Sequence, residues 1–280
     1  MKLSIRNRTS YRFDRPVFLE PHVIRLRPRV DAALWPIALV LEVDPQPAGR
    51  AEYLDLEGNV VTQVWFDGTT DHLAIESHST VETLLTDPFN FLLDGPGRLL
   101  PDAYPVELGN RLRTYRKAPD AVPRAVQELA LATAEEVGRR QERFPSALAT
   151  RLHREFEVET RDEGPPSAPE DTVAERRGAC RDLAVLFIEC CRGMGLAARF
   201  VSGSVYIDGS GDRELHAWAE VYLSGGGWRG YDPTLGLVVA DRHVAVAAAA
   251  EAADAAPLSG SYRGSATASL ETLVELATAP

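Results

Sequence analysis

The sequence predicts an α+β protein: an antiparallel β-sandwich at the amino terminus, followed by a unit in which a helix packs on an antiparallel sheet. Two observations carry this. About the first 85 residues hold short runs of period two separated by turn residues, with no helical period. Beyond residue 120 the apolar spacing becomes three and four, and past residue 197 it returns to two.

At the start of the chain Leu3, Ile5, Tyr11 and Phe13 are apolar, while Lys2, Ser4, Arg6, Arg8, Ser10 and Arg12 are polar. That alternation is a strand buried on one face. Ile37, Leu39, Leu41 and Val43 repeat it, and the Pro- and Gly-containing stretch 45–49 ends the run. Glu57-Gly58-Asn59 reads as a turn between two further strands, and Leu73, Ile75 and Val81 continue the pattern. Residues 1–85 are therefore read as the sandwich. Residues 86–120, with prolines, glycines and no sustained period, are read as a connection, and 121–280 as a second, larger domain.

Asp120 reads as the N-cap of a helix that puts Val122, Val126, Leu129 and Thr133 on one face, with Pro123 in its first turn. A second helix is expected from Ser146, because Leu148, Leu152 and Phe156 recur at intervals of four. The proline-rich stretch 164–169 is a loop leading to Gly178-Ala179-Cys180-Arg181-Asp182. Behind Cys180, the spacing of Leu183, Leu186, Phe187, Cys190 and Met194 is the buried stripe of a helix that ends near Gly193 or Gly195. Residues 198–207 then form a strand and 208–213 a polar turn. His216, Trp218, Glu220 and Tyr222 share one face of the next strand, and Ser224-Gly225-Gly226-Gly227 reverses the chain into 228–232.

Cys180 thus falls in the first turn of a helix, where unpaired backbone N–H groups and the helix dipole favour a thiolate. A histidine on one later strand and an aspartate on another supply the order of parts for a nucleophile, its base and the base's orienter. Register decides whether they meet. If Leu223 pairs with Trp228, Asp232 points away from His216. With a loop of three or five residues, Trp218 falls opposite Asp232, and the carboxylate becomes a same-face diagonal neighbour of His216. The second register is expected, with Trp218 as a candidate floor of the substrate cleft. His243, with Asp241, is a rival base ranked below His216 because it lies in an apolar run. Asp182 and Arg181 are assigned a helix-capping or ion-pair role. Cys190 and Cys191 lie about 15 Å further along the same helix, too far to share a disulfide or a metal with Cys180.

Composition narrows the partners. Thirty basic against forty-one acidic residues give a net charge of -11, which argues against nucleic acid and anionic membrane as partners. The basic clusters at 25–29 and 111–117 are read as solvated faces. No apolar leader opens the chain, and 244–256 is too short and too charged to span a membrane. Three cysteines without a framework fit a reducing cytoplasm. No phosphate-cradling loop and no Cys-x-x-Cys pair is present, so no cofactor and no metal is expected.

Three segments, Gly178-Ala179-Cys180-Arg181-Asp182, His216-Ala217-Trp218 and Gly230-Tyr231-Asp232-Pro233-Thr234, resemble the core motifs of the bacterial transglutaminase-like family. Segments 8–17, 25–28 and 55–59 look like that family's amino-terminal β domain. The resemblance implies a papain-like core, with the cysteine helix packed on a sheet bearing His and Asp, and Cys180, His216 and Asp232 as a triad. One departure stands out: Ala250-Glu251-Ala252-Ala253-Asp254 replaces a Gly-Arg-Asp-Tyr-like segment. The expected function is cysteine-dependent acyl transfer on peptide or isopeptide amides, with hydrolysis preferred. Transfer of glutamine acyl groups to amines, and a non-enzymatic binding or scaffold module, stay open beside it.

Overall fold

Strand β1 (Lys2–Leu19) sets the layout, because at 18 residues it is longer than one sheet of ordinary width needs. In the computed structural model, which describes all residues except 95–97, 102, 118–120, 162–163, 209–214 and 280, β1 serves two layers. It is followed by β2 (His22–Ile24), β3 (Leu34–Asp44), β4 (Gly49–Leu54), β5 (Val60–Trp65) and β6 (Thr70–Thr83). Helices α1 (Val106–Arg111), α2 (Arg124–Glu136) and α3 (Phe144–Glu155) come next, then β7 (Glu157–Val158), α4 (Pro169–Glu175) and β8 (Arg177–Gly178). The core closes with α5 (Cys180–Gly193), β9 (Ala198–Val205), β10 (His216–Leu223), β11 (Gly227–Asp232), β12 (Leu237–Val238) and β13 (His243–Ala249). Three strands end the chain: β14 (Leu258–Ser259), β15 (Tyr262–Arg263) and β16 (Ala268–Thr278).

The fold class is α+β. β1 pairs antiparallel with β6 on one side and with β16 and β15 on the other, and β3 lies beyond β6. A second sheet, in the order β14-β2-β5-β4, covers one end of the first. Between them Phe13, Val17, Leu19, Ile24, Val64 and Leu73 form the sandwich core. The other end of the first sheet, through Leu3, Ile5, Leu34 and Val81, packs on Val244 of β13. The alternation that reads as one strand at 2–13 therefore serves two cores.

The second unit is a sheet in the order β12-β11-β10-β9-β13 with α5 against it. α5 buries Leu183, Leu186, Phe187, Cys190 and Cys191. Its C-terminal end is tied down by the buried Arg192, whose guanidinium donates to the carbonyls of Ala198 and Ala250. Gly195, at φ +78, turns the chain out of the helix.

Several expectations change. The expected N-cap Asp120 lies outside the described residues, and α2 begins at Arg124 behind Pro123, whose missing N–H costs the helix nothing there. α3 starts at Phe144 with Pro145 in its first turn, two residues before Ser146. Of the expected polar turn at 208–213, residues 209–213 lie outside the described residues. The end of the chain does not stay with the core: β16 pairs along β1 from Leu3↔Thr278 to Phe13↔Ala268. Strand pairing is non-local, and a period-two run carries no label for its partner. The cluster at 25–29 is not simply solvated either. Arg25 approaches Asp55 at 3.5 Å, and Arg29 donates to the side chain of Asn59.

That last contact belongs to a clasp between the layers. Asp55 Oδ1 accepts the N–H groups of Glu57 and Asn59, which closes the turn between β4 and β5. Asn59 is fully buried and reads β13 as a strand would: its amide donates to Ala248 O at 2.8 Å and accepts from Ala248 N at 2.9 Å. Glu57 in the same turn accepts from Tyr115 and lies 3.6 Å from Arg199 of β9. Asn59→Ala would strand a buried N–H and a buried C=O on β13. At about 1–3 kcal/mol for each unsatisfied group, the expected loss is roughly 2–6 kcal/mol, measured as a shift of the denaturant midpoint. A loss under about 0.5 kcal/mol would show that the clasp is not needed.

Candidate active site

Cys180 is the first residue of α5, behind Ala179 in extended backbone. The helix start is held by Asp182, which is 1% exposed. Asp182 Oδ2 accepts the N–H of Ala179 at 2.8 Å, the carboxylate half of a capping box. Its Oδ1 accepts from Ser167 N at 2.7 Å and from Arg161 at 2.6 Å, which draws the proline-rich loop to the cysteine. Gly178 permits this approach, because a Cβ there would lie 2.9 Å from the Asp182 side chain. The capping role expected of Asp182 is thus what its contacts describe.

The hairpin register is the three-residue one. Leu223 pairs with Gly227 and Ala219 with Tyr231, which brings Asp232 level with Trp218. Gly225 and Gly227 sit at φ +85 and +70, and this tight reversal depends on them. Asp232 then meets His216 diagonally, with Oδ2 and Nε2 2.7 Å apart. Cys180 lies beside the same ring and helps to raise its pKa, and with Nε2 taken by Asp232 it is Nδ1 that is left for the sulfur. Cys180, His216 and Asp232 are therefore brought together in one row.

Asp232 is completely buried, and its two oxygens are fully used. Oδ1 accepts the N–H groups of Thr234 and Leu235 at 2.9 and 3.1 Å, a turn that the following Pro233 and Thr234 close locally. Oδ2 accepts from His216 and also from His243 Nε2 at 3.0 Å. An ionised carboxylate only accepts, so both imidazoles carry their proton on Nε2. Burial works against the charge, but the two imidazole hydrogen bonds outweigh it and hold the carboxyl well below the usual carboxylate range. For His216 burial likewise opposes the charged form. Hydrogen bonds and charge from Asp232 and Cys180 overcome it and push the imidazolium up to about 10.

His243, ranked below His216 as a base and read as structural, has a partner that the sequence did not point to. Its partner is not Asp241 but Asp232, so it is a second donor to the same carboxylate rather than a rival base. The one signal for it was a polar ring at the head of an apolar strand. Trp218 also needs correction. It is 1% exposed and packs with Val201 and Ala248, edge-on to His243 at 5.2 Å. On that face of the sheet the indole lies over β9, where Gly203 leaves the room that it fills, and meets Ala248 of β13. Trp218 therefore supports the site from beneath and floors no cleft. Cys190 and Cys191 are buried, and burial pushes both thiols up.

Two openings flank Cys180 and His216. One, of about 390 Å³, reaches under the amino-terminal sheet and is bordered by Ala252, Ala253 and Ala256, where the chain departs from the family's usual segment. The other, of about 520 Å³, runs past Glu159, Thr160 and Thr234.

This geometry meets a consistent family match. The model of the bacterial transglutaminase-like N-terminal region matches residues 3–82, and that of the transglutaminase-like superfamily matches residues 130–233. The chain belongs to the bacterial transglutaminase-like family. An uncharacterized protein of Mycobacterium leprae is 26% identical to this transglutaminase-like chain, covering 98% of each. One from Mycobacterium tuberculosis is 29% identical over 91% of this chain and 86% of its own length. Among solved structures, a "Putative Cysteine Protease" of Cytophaga hutchinsonii superposes with a TM-score of 0.71 at 22% identity, covering 99% of this chain and 90% of that one. That likeness shows the shared fold, sandwich included.

Two outcomes follow from the row in this transglutaminase-like core. The folded state raises His216 above its ordinary value of 6.5, so its contribution to stability is complete below about pH 6.5 and is lost as pH rises through about 10. Urea unfolding across that window should show the decline, and His216→Gln should lack it; identical slopes in the two proteins would refute the assignment. In Asp232→Asn the amide oxygen keeps the Thr234 and Leu235 N–H groups, and the NH2 takes the place of Oδ2. His216 Nε2 must then accept, its proton moves to Nδ1, and the ring cannot take a proton from Cys180. Alkylation of Cys180 at about pH 6 should slow by roughly a hundredfold or more. A rate within a few-fold of wild type would show that Asp232 does not set the tautomer.

Proposed function

We propose that this protein is a cysteine-dependent acyl-transfer enzyme that acts on peptide or isopeptide amides, with water as the preferred acceptor. The observation that supports it is the row from the buried Asp232 through His216 to a cysteine at a helix start. His216 Nδ1 takes the proton of Cys180, and the thiolate sulfur attacks the amide carbonyl carbon. As the C–N bond breaks, the same Nδ1–H protonates the departing amine and a thioester remains. Water then attacks under His216 as base, the S–C bond breaks, and the proton returns to sulfur. Cys180 N–H, at the first helical position, has no intrahelical acceptor and faces the developing oxyanion. An amine in place of water makes the same residues a transglutaminase. The three unpaired thiols support a reducing compartment such as the cytoplasm.

A peptide library incubated with wild type and with Cys180→Ala, with and without a primary amine, separates the readings. Cleavage products that depend on Cys180 are expected, and amine-linked products in their place would make transfer the activity. Iodoacetamide at about pH 6 should label Cys180 and spare Cys190 and Cys191. Equal, slow labelling of all three with no turnover would make the fold a scaffold.

A further inference from the structure

We infer that the 390 Å³ cavity beside Cys180 is a substrate pocket for a bulky, uncharged apolar side chain, and that the amino-terminal sandwich supplies one of its walls. The inference rests on the proposed acyl-transfer reading and names its substrate class. Cavities of roughly 300–1,000 Å³ that are mostly apolar, with a few polar groups at one end, are the usual form of a small-ligand pocket. Here Cys180 and His216 stand at one end, within the lining.

The wall from the core is built of small or apolar groups: Phe200, Ala217, Ala252 and Ala253. The alanines are why there is space, since any longer side chain at 252 or 253 would occupy it. The facing wall consists of two cross-strand pairs in the first sheet, Tyr11 with Leu270 and Thr9 with Thr272. These four residues come from opposite ends of the chain and from strands that take no part in the Cys-His-Asp row. Leu26 and Leu258 add further apolar lining.

Charge selects further. Besides Cys180 and His216, the ionisable groups on the described lining are Arg161 and Arg181, together with the phenol of Tyr11. Arg161 is engaged by Asp182, Ser167 Oγ and Pro165 O. Among the described residues no carboxylate lines this cavity to receive a lysine or arginine side chain, whereas Glu159 borders the opening on the other side of Cys180. A charged substrate group would lose its hydration among alanines and leucines, while an apolar one gains by burial. The two openings thus give the cleft an apolar end and a polar end, with the sulfur between them.

The test uses the full chain and reagents of the form chloroacetyl-Xaa-amide. The Cys180 sulfur displaces chloride from carbon, so the S–C bond forms as the C–Cl bond breaks. With Xaa as Leu or Phe, alkylation of Cys180 should be at least about tenfold faster than with Gly, Asp or Lys, the discrimination that an apolar pocket gives. Leu270→Trp, on the sandwich wall, and Ala253→Phe, on the core wall, should each abolish that preference. In each variant the rates are divided by the rate with iodoacetamide, which is too small to use the pocket, so that any change in Cys180 itself cancels. Equal rates for all Xaa, or a preference that neither variant moves, would overturn the inference. A Cys180 no faster toward iodoacetamide than an ordinary thiol would instead count against the acyl-transfer reading, and the Leu-to-Gly ratio would still decide the pocket.

Discussion

A carboxylate with no exposure to water must be satisfied from within the protein, and in this fold that requirement falls on Asp232. Removing such an ion from water costs several kcal/mol unless donors replace the hydration. Four do. Two are backbone N–H groups of its own turn, and two are imidazoles from different strands, His216 at the start of β10 and His243 at the start of β13. The residue that orients the candidate base is itself fixed by its own turn and by two other strands of the sheet. The His216 ring has therefore only one direction left for Nδ1, toward Cys180.

Fixing Asp232 in this way passes the demand outward. β13 must be held against β9 for His243 to reach the carboxylate, and β13 is the strand that the amino-terminal layers grip. Asn59 hydrogen-bonds Ala248 as a neighbouring strand would, and Val244 packs beneath Leu3, Ile5 and Val81. Trp218 fills the space between the two histidines and the strands below them. The geometry of a few atoms at the site thus depends on contacts between layers that are far apart in the chain.

Much of this was legible in the residues, and the part that was not shares one cause. Periodicity is local, so it found β1, β3, β6 and the stripe of α5, and the glycines of 225–227 were enough to define which two registers could exist. That Cys180, His216 and Asp232 would lie together could be read because each type has few other reasons to appear at a helix start or a strand end. Trp218 was misplaced because alternation gives the face of a strand but not its neighbours there, and Val201 of β9 and Ala248 of β13 close around the indole. His243 was misread because a histidine's partner is set by tertiary packing, and its sequence neighbour Asp241 is not the carboxylate it meets. β16 was assigned to the core for the same reason: pairing with β1 crosses the whole chain. Asn59 was visible only as a turn residue, although its side chain carries the longest-range hydrogen bonds of that turn.

The return of the chain to its first sheet is what turns two layers into one cleft. Had β16 stayed with the core, β1 would present an open edge beside Cys180, and the cavity under the sandwich would have solvent where Leu270 and Thr272 now stand. With β16 in place, the two pairs Tyr11–Leu270 and Thr9–Thr272 face the alanines that follow β13. The same β13 carries His243 to Asp232 at its start and leads into the cavity wall at its end. One strand therefore links the orientation of the candidate base to the shape of the proposed pocket, and the sandwich grips that strand through Asn59 and Val244.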